Sequence, residues 1–208
     1  MAVLTLSRQF GAGGKTLAER VAERVGYTIA TEAIVEQLAE SAKVSPEGLP
    51  NFEAEHNGPA KPGLGVLSPG RFVDRILDPH RNFMDGKLYV KLLGEIVPKL
   101  AEKGNTIIVG RGAQFILKGA PDIHHVLLVA EEEDRIRFMI DHYDLNLPDA
   151  RRIVQRQEKR RNSLMKLFHH EDYDQPWHYD LVLNMSKLTM DRAVDLVCDL
   201  LAPPTTEE

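Results

Sequence analysis

A chain of 208 residues, 43% hydrophobic and 27% charged, has the length and apolar content of one or at most two compact domains, which excludes a disordered chain and a collagen-like repeat. Its apolar runs, such as Val126-Leu127-Leu128-Val129-Ala130, are far shorter than the roughly 20 residues of a bilayer span, and no charged-then-apolar leader opens the sequence, so a cytoplasmic protein with no membrane partner is expected. The net charge of −5 speaks against a general nucleic-acid partner, and the lone Cys198 excludes an intrachain disulfide or a multi-cysteine zinc site.

Ala2-Val3-Leu4-Thr5-Leu6 reads as a short buried strand, and Leu17, Ala18, Val21, Ala22 and Val25 give a helix that Gly26 stops. Between them runs Ser7-Arg8-Gln9-Phe10-Gly11-Ala12-Gly13-Gly14-Lys15-Thr16, whose glycines let backbone N–H groups converge on an anion at the start of the helix. The phosphate-loop pattern G-x-x-x-x-G-K-[ST] ends on Gly14-Lys15-Thr16 but finds Gln9 at its first glycine position. The alternative register, G-x-G-K-G-T, begins at Gly11 and puts Gly14 where the lysine belongs. The cation for the terminal phosphates is then Lys15 or Arg8, and in both registers Thr16 offers its hydroxyl to a magnesium ion.

Tyr27-Thr28-Ile29-Ala30 leads into a second helical pattern at Ile34, Val35, Leu38 and Ala39, after which periodicity lapses across a proline- and glycine-rich stretch, 44–70. A helix returns at Tyr89, Leu92, Leu93, Ile96 and Leu100, with a disturbance expected at Pro98, and Asn105-Thr106-Ile107-Ile108-Val109 forms a strand ending in Gly110-Arg111-Gly112. Placed there, Arg111 is aimed into a cleft at the sheet's carboxyl edge, where a bidentate grip on an acceptor phosphate is its natural use. No acidic residue ends that strand to hold a metal. A further strand at His125–Ala130 precedes an acidic helix start, Glu131-Glu132-Glu133-Asp134, and the stripe Ile136, Met139, Ile140 and Tyr143.

Pro148 then opens a basic helix in which seven cationic residues between 151 and 166 face Glu158 alone. Arg152, Arg156 and Arg160 recur every four residues on one face and Arg161 adjoins them, a surface suited to closing over a compact anion. The adjacent His169 and His170 cannot easily face one ion. Tyr173, Trp177 and Tyr179 are expected to pack on a last strand, Asp180–Asn184, before a closing helix through Ala193, Leu196, Val197 and Leu200. Five strands alternating with helices predict an α/β fold, a five-stranded parallel sheet with helices on both faces and ligands at the carboxyl ends of the strands.

Four segments, taken in order, resemble the motifs of the cytidylate kinase-like family: Ser7-Arg8-Gln9-Phe10-Gly11-Ala12-Gly13-Gly14, Ile107-Ile108-Val109-Gly110-Arg111-Gly112-Ala113, Glu158-Lys159-Arg160-Arg161 and Tyr179-Asp180-Leu181-Val182-Leu183-Asn184. The resemblance implies a single P-loop kinase domain over 1–208, with a monophosphate-binding flap at about 31–85 and a basic lid at about 146–178. It implies transfer of a phosphoryl group from ATP and Mg²⁺ to a nucleoside monophosphate, CMP or dCMP. Arg8 and the loop from Phe10 to Thr16 would hold the nucleotide. Lys15, Arg111, Arg156, Arg160 and Arg161 would serve the transfer, and Thr31, Glu32 and Arg111 the acceptor. The chain departs from the family at Thr31-Glu32-Ala33, where an Asp-x-Glu pattern is usual, and at Leu164-Met165 and Leu167-Phe168, where lid tyrosines follow the arginine. Those departures keep open a different small acceptor, or a module that binds ATP without efficient transfer.

Overall fold

The computed structural model describes residues 2–30, 34, 37, 40–41, 86–168 and 173–202. Thr31, Glu32, His169 and His170, with most of the flap, lie outside them. The order is β1 (Val3–Arg8), α1 (Gly14–Val25), β2 (Thr28–Ile29), α2 (Gly86–Ala101), β3 (Thr106–Val109), α3 (Ala113–Ile116), β4 (Ile123–Val129), α4 (Glu132–Tyr143), α5 (Leu147–Leu167), a 3₁₀ turn (Pro176–His178), β5 (Leu181–Asn184) and α6 (Met190–Leu201).

The five strands form one sheet in the order β2-β3-β1-β4-β5, and every pairing is parallel. β1 is the central strand and all six of its residues are buried, as expected where helices cover both faces. The alternation of the strand sends Leu4 and Leu6 to one face with Ile107 and Val109, against α1 and α6, and Val3 to the other with Ile108, against α2, α3 and α5. A third cluster gathers Phe10, Ile136, Met139, Leu145, Ala150, Ile153 and Val154 between α4, α5 and the loop after β1. The apolar stripe of α4 therefore grips the loop more than the sheet. None of the described helices is long and apolar enough to cross a membrane.

α2 runs through Pro98 without a break. The missing N–H is one hydrogen bond, and the burial of Ile96, Val97 and Leu100 on both sides of the proline, at about 1.5–3 kcal/mol each, outweighs it. α5 starts at Leu147, one residue before Pro148, because the Asn146 side chain caps it by accepting from the Asp149 N–H. Trp177 corrects an expectation: it is 72% exposed and does not pack on β5, since the 3₁₀ turn directs it outward while Tyr173 and Tyr179 turn in.

Candidate active site

β1 and β3 are neighbours, and from their carboxyl ends issue the glycine-rich loop and the Arg111 turn. Gly11 and Gly13 have φ of +86° and +81°, left-handed values that ordinary residues adopt only at a cost of roughly 1–2 kcal/mol. Gly13 is also the N-cap of α1, so the loop delivers its amides to that helix N-terminus. Gly14 is required for another reason: a Cβ there would lie 2.8 Å from Cγ of Arg8, whose buried stem crosses behind it. Gln9, at the position where the usual pattern has glycine, ties the loop to β4. Its N–H donates to Leu128 O and its side-chain Oε1 accepts from the Ala130 N–H, both at 2.9 Å. Lys15 is half-buried in the first turn of α1, 3.7 Å from Glu19, and Thr16 is half-buried beside it. A crevice over the loop is lined by Phe10, Gly11, Gly13, Gly14, Lys15 and Thr16 and walled by Phe138, Met139 and Tyr143 of α4.

At the end of β3, Gly110, Arg111 and Gly112 all have positive φ, so the chain turns sharply and Arg111 folds inward. Its guanidinium is buried and donates to the Tyr89 hydroxyl on α2. Gly112 is enclosed by the Phe168 ring, which a Cβ would strike at 2.4 Å, and Gly86 by Leu167 at 2.7 Å. Leu164 and Met165 are in the core beside them. Phe168 thus anchors the carboxyl end of α5 to the Arg111 turn, Leu167 to the start of α2, and Leu164 and Met165 to the core.

The lid cations fall into different environments. Arg156 lines an open basic groove on α5 with Arg151, Arg152 and Lys159. Arg160 is half-buried, its Nη1 has no hydrogen-bond partner among the described residues, and burial, then the neighbouring Arg156 charge, pulls its pKa below the ordinary arginine value. Arg161 is buried and held: its fork closes on Asp174, with Nη1 to Oδ2 at 2.8 Å, and Nη1 also reaches Glu158 at 3.3 Å. Its Cζ lies 4.8 Å from the centre of the Tyr173 ring. Burial by itself would disfavour that charge, but Asp174 and Glu158 raise its pKa above the ordinary value. Beneath it, Tyr179 donates to Tyr173 O at 2.7 Å and is hydrogen-bonded to Ser7 at the end of β1, with burial pushing its pKa up to about 12.

A family model described as the cytidylate kinase-like family matches residues 3–187. The chain belongs to that family. Its class is that of a cytidylate kinase-like, ATP-dependent kinase. Comparison with curated proteins finds no match. Among solved structures, an uncharacterized protein from Eubacterium ventriosum ATCC 27560 is 17% identical, over 96% of this chain and 97% of that one, with a TM-score of 0.66. Shikimate kinase from Acinetobacter baumannii, in complex with shikimate, is 10% identical over 97% and 93%, with a TM-score of 0.50. At such identities the likeness is one of fold.

Within this kinase fold the structure brings the phosphate loop, Arg111 and α5 around one end of the sheet, while Thr31 and Glu32 lie outside the described residues. Three contributors were missed by the sequence reasoning. Arg135 of α4 joins the loop at Phe10 O to Glu158 of α5, and Asp174 clamps Arg161. Arg135 sits on the apolar stripe of α4, one residue before Ile136, and a basic residue in a buried stripe is a signal that periodicity alone passes over. Among the described residues no group of three acidic, histidine or cysteine side chains could hold a metal ion. The Thr16 hydroxyl, in the first turn of α1, could serve a magnesium ion held mainly by nucleotide phosphates and water, which suits an ion reluctant to lose its hydration shell.

Proposed function

We propose that this kinase transfers the γ-phosphoryl group of ATP, with Mg²⁺, to a nucleoside monophosphate, CMP or dCMP. The observation that carries the reading is the emergence of the left-handed glycine loop and the inward-turned Arg111 from adjacent parallel strands, with the cationic helix α5 anchored to both. The motif resemblance supplies the acceptor class. In the reaction an oxygen of the acceptor phosphate bonds to the γ-phosphorus as the bridge to the β-phosphate breaks, giving ADP and a nucleoside diphosphate. Little covalent work falls to the protein, so positioning and charge neutralisation decide the rate.

The amides from Phe10 to Thr16, with Arg8 and Lys15 on either side of Gly14, would hold the ATP phosphates. Thr16 would hold magnesium, which neutralises charge across the phosphate oxygens. Arg111 would grip the acceptor phosphate. Arg156 and Arg160 would be the lid cations that meet the transferring group, and Nη1 of Arg160, without a hydrogen-bond partner among the described residues, is the kind of donor an anion satisfies. Arg161 would join them by exchanging part of its grip on Asp174. The Thr31-Glu32 segment would meet the base.

The test is ATP consumption with Mg²⁺ against CMP, dCMP, UMP, AMP, GMP and dTMP, with the rate lacking acceptor subtracted. Stimulation by CMP or dCMP is expected. Silence across the panel with ATP still bound would transfer the proposal to another small acceptor. Binding with no turnover on any acceptor would make the protein a nucleotide-binding module.

A further inference from the structure

We propose that Arg135 and Glu158 form a strut that fixes the nucleotide loop against the lid helix, Arg135 acting as a positioning residue for the loop and Glu158 joining loop to lid. The proposal rests on reading the loop after β1 as the nucleotide-phosphate site. Arg135 encloses the Phe10–Gly11 peptide twice. Its own carbonyl oxygen and Cβ stand 2.9 and 3.0 Å from where a Cβ on Gly11 would be, and its Nη1 returns to donate to Phe10 O at 3.3 Å. In a planar trans peptide the C=O and the following N–H point in opposite directions. Holding the Phe10 carbonyl toward Arg135 therefore turns the Gly11 N–H away from it and fixes the first amide of the loop.

The same Nη1 lies 3.1 Å from Glu158 Oε2, while Glu158 Oε1 takes Nη1 of Arg161 at 3.3 Å. One carboxylate thus uses one oxygen for the loop's arginine and the other for the lid's. A purely structural reading fits this poorly. Arg135 is 8% exposed and its Nε is buried without a hydrogen-bond partner among the described residues, so a leucine in the surrounding cluster of Phe10, Ile136 and Met139 would pack at lower cost.

The experiment measures ADP affinity by calorimetry, without turnover, alongside the melting temperature and the separate KM values for ATP and acceptor. Arg135→Met and Glu158→Gln are each expected to weaken ADP binding by about tenfold, the order of one charge-assisted hydrogen bond. ATP KM should rise more than acceptor KM. Arg135→Lys, which keeps the charge but not the fork, should fall between wild type and Arg135→Met. The double variant should bind ADP no worse than the weaker single, because both changes break one strut. Glu158→Gln keeps the shape of a half-buried side chain and remains informative if Arg135→Met does not fold. A lowered melting temperature with ADP affinity within about twofold of wild type would overturn the proposal, as would fully additive losses. A folded wild-type chain that binds no ADP would instead remove the reading of the loop on which the strut depends.

Discussion

The glycine loop and the basic helix α5, the two regions to which the proposed function gives anions, are built from different material. The loop is backbone: two left-handed glycines, a third glycine that clears the stem of Arg8, and amides delivered to a helix N-terminus. The α5 surface is side chain: guanidiniums sorted by acids, Arg161 held by Asp174 thirteen residues on and by Glu158 three residues back. A backbone cradle is complete as soon as it folds. A side-chain surface depends on the partner each cation meets: Arg161 is engaged, while Nη1 of Arg160 has none among the described residues. On the proposed function, the difference teaches that the binding half of the site rests on backbone geometry and the transfer half on side-chain pairings.

Breaking the backbone half should give the largest effect. Gly11→Ala places a Cβ 2.9 Å from the Arg135 carbonyl oxygen at a φ of +86°, and neither the strain nor the backbone contact can be relieved by a rotamer. The expected loss is about 3 kcal/mol or more, roughly 6 to 12 °C of melting temperature for a domain of this size, with ADP binding abolished. Gly26→Ala is the control. It shares a left-handed φ of +71° but has open space around it, so it should lose only the strain, about 1 kcal/mol, and leave ADP affinity unchanged. Equal melting temperatures for the two variants would show that the loop is not held as tightly as the comparison requires.

Breaking the side-chain half should cost rate. Arg111→Ala and Arg161→Ala are each expected to lower turnover by at least ~100-fold, the order of losing one good transition-state donor, measured under saturating ATP. The two should part in stability. Arg161→Ala strands the Asp174 carboxylate and one oxygen of Glu158 without their cation and should lower the melting temperature, whereas Arg111→Ala takes a donor from the neutral Tyr89 hydroxyl. Unchanged turnover in both variants would remove the proposed transfer mechanism.

What could be read from the sequence follows the same division. β1, its glycine loop and α1 are local: a buried run, left-handed glycines and a helical stripe sit in consecutive residues, and the parallel sheet follows from alternation of strands and helices. Arg111 was legible because glycines flank it directly after a strand. The clamp on Arg161 was not, since nothing between 161 and 174 marks Asp174 as its partner, and Arg135 hid inside an apolar stripe. Gln9 looked like a defect in the phosphate-loop pattern until its side chain was seen to cap the end of β4. Leu164, Met165, Leu167 and Phe168 read as a departure from the family; Leu164 and Met165 lie in the core, and Leu167 and Phe168 are anchors because their counterparts, Gly86 and Gly112, have no side chain in the way. In each case the missing information was a contact between distant residues.

A smaller effect distinguishes the support of the two halves by pH. His125 on β4 is paired in register with Thr5 of β1, the strand that delivers the loop, and its Nδ1 lies 2.6 Å from Thr5 Oγ1. Burial lowers its pKa below the ordinary 6.5, the neighbouring His124 works in the same direction, and Asp180, whose Oδ2 accepts from the His125 N–H at 2.7 Å, partly opposes both. A histidine whose folded pKa is depressed is held neutral by the fold, while the unfolded chain takes up the proton first. Its contribution is therefore complete above pH 6.5 and declines as the pH falls from 6.5 toward the folded value. Melting temperature measured from pH 7.5 down to 5.5 should fall in wild type and fall less in His125→Gln. The lid clamp is made of guanidiniums and carboxylates, whereas histidine is the residue type that titrates in this range. The sloping part should accordingly be unaltered in Asp174→Asn, and a slope that disappears in that variant instead would place the pH-sensitive support in the lid and not beneath the loop.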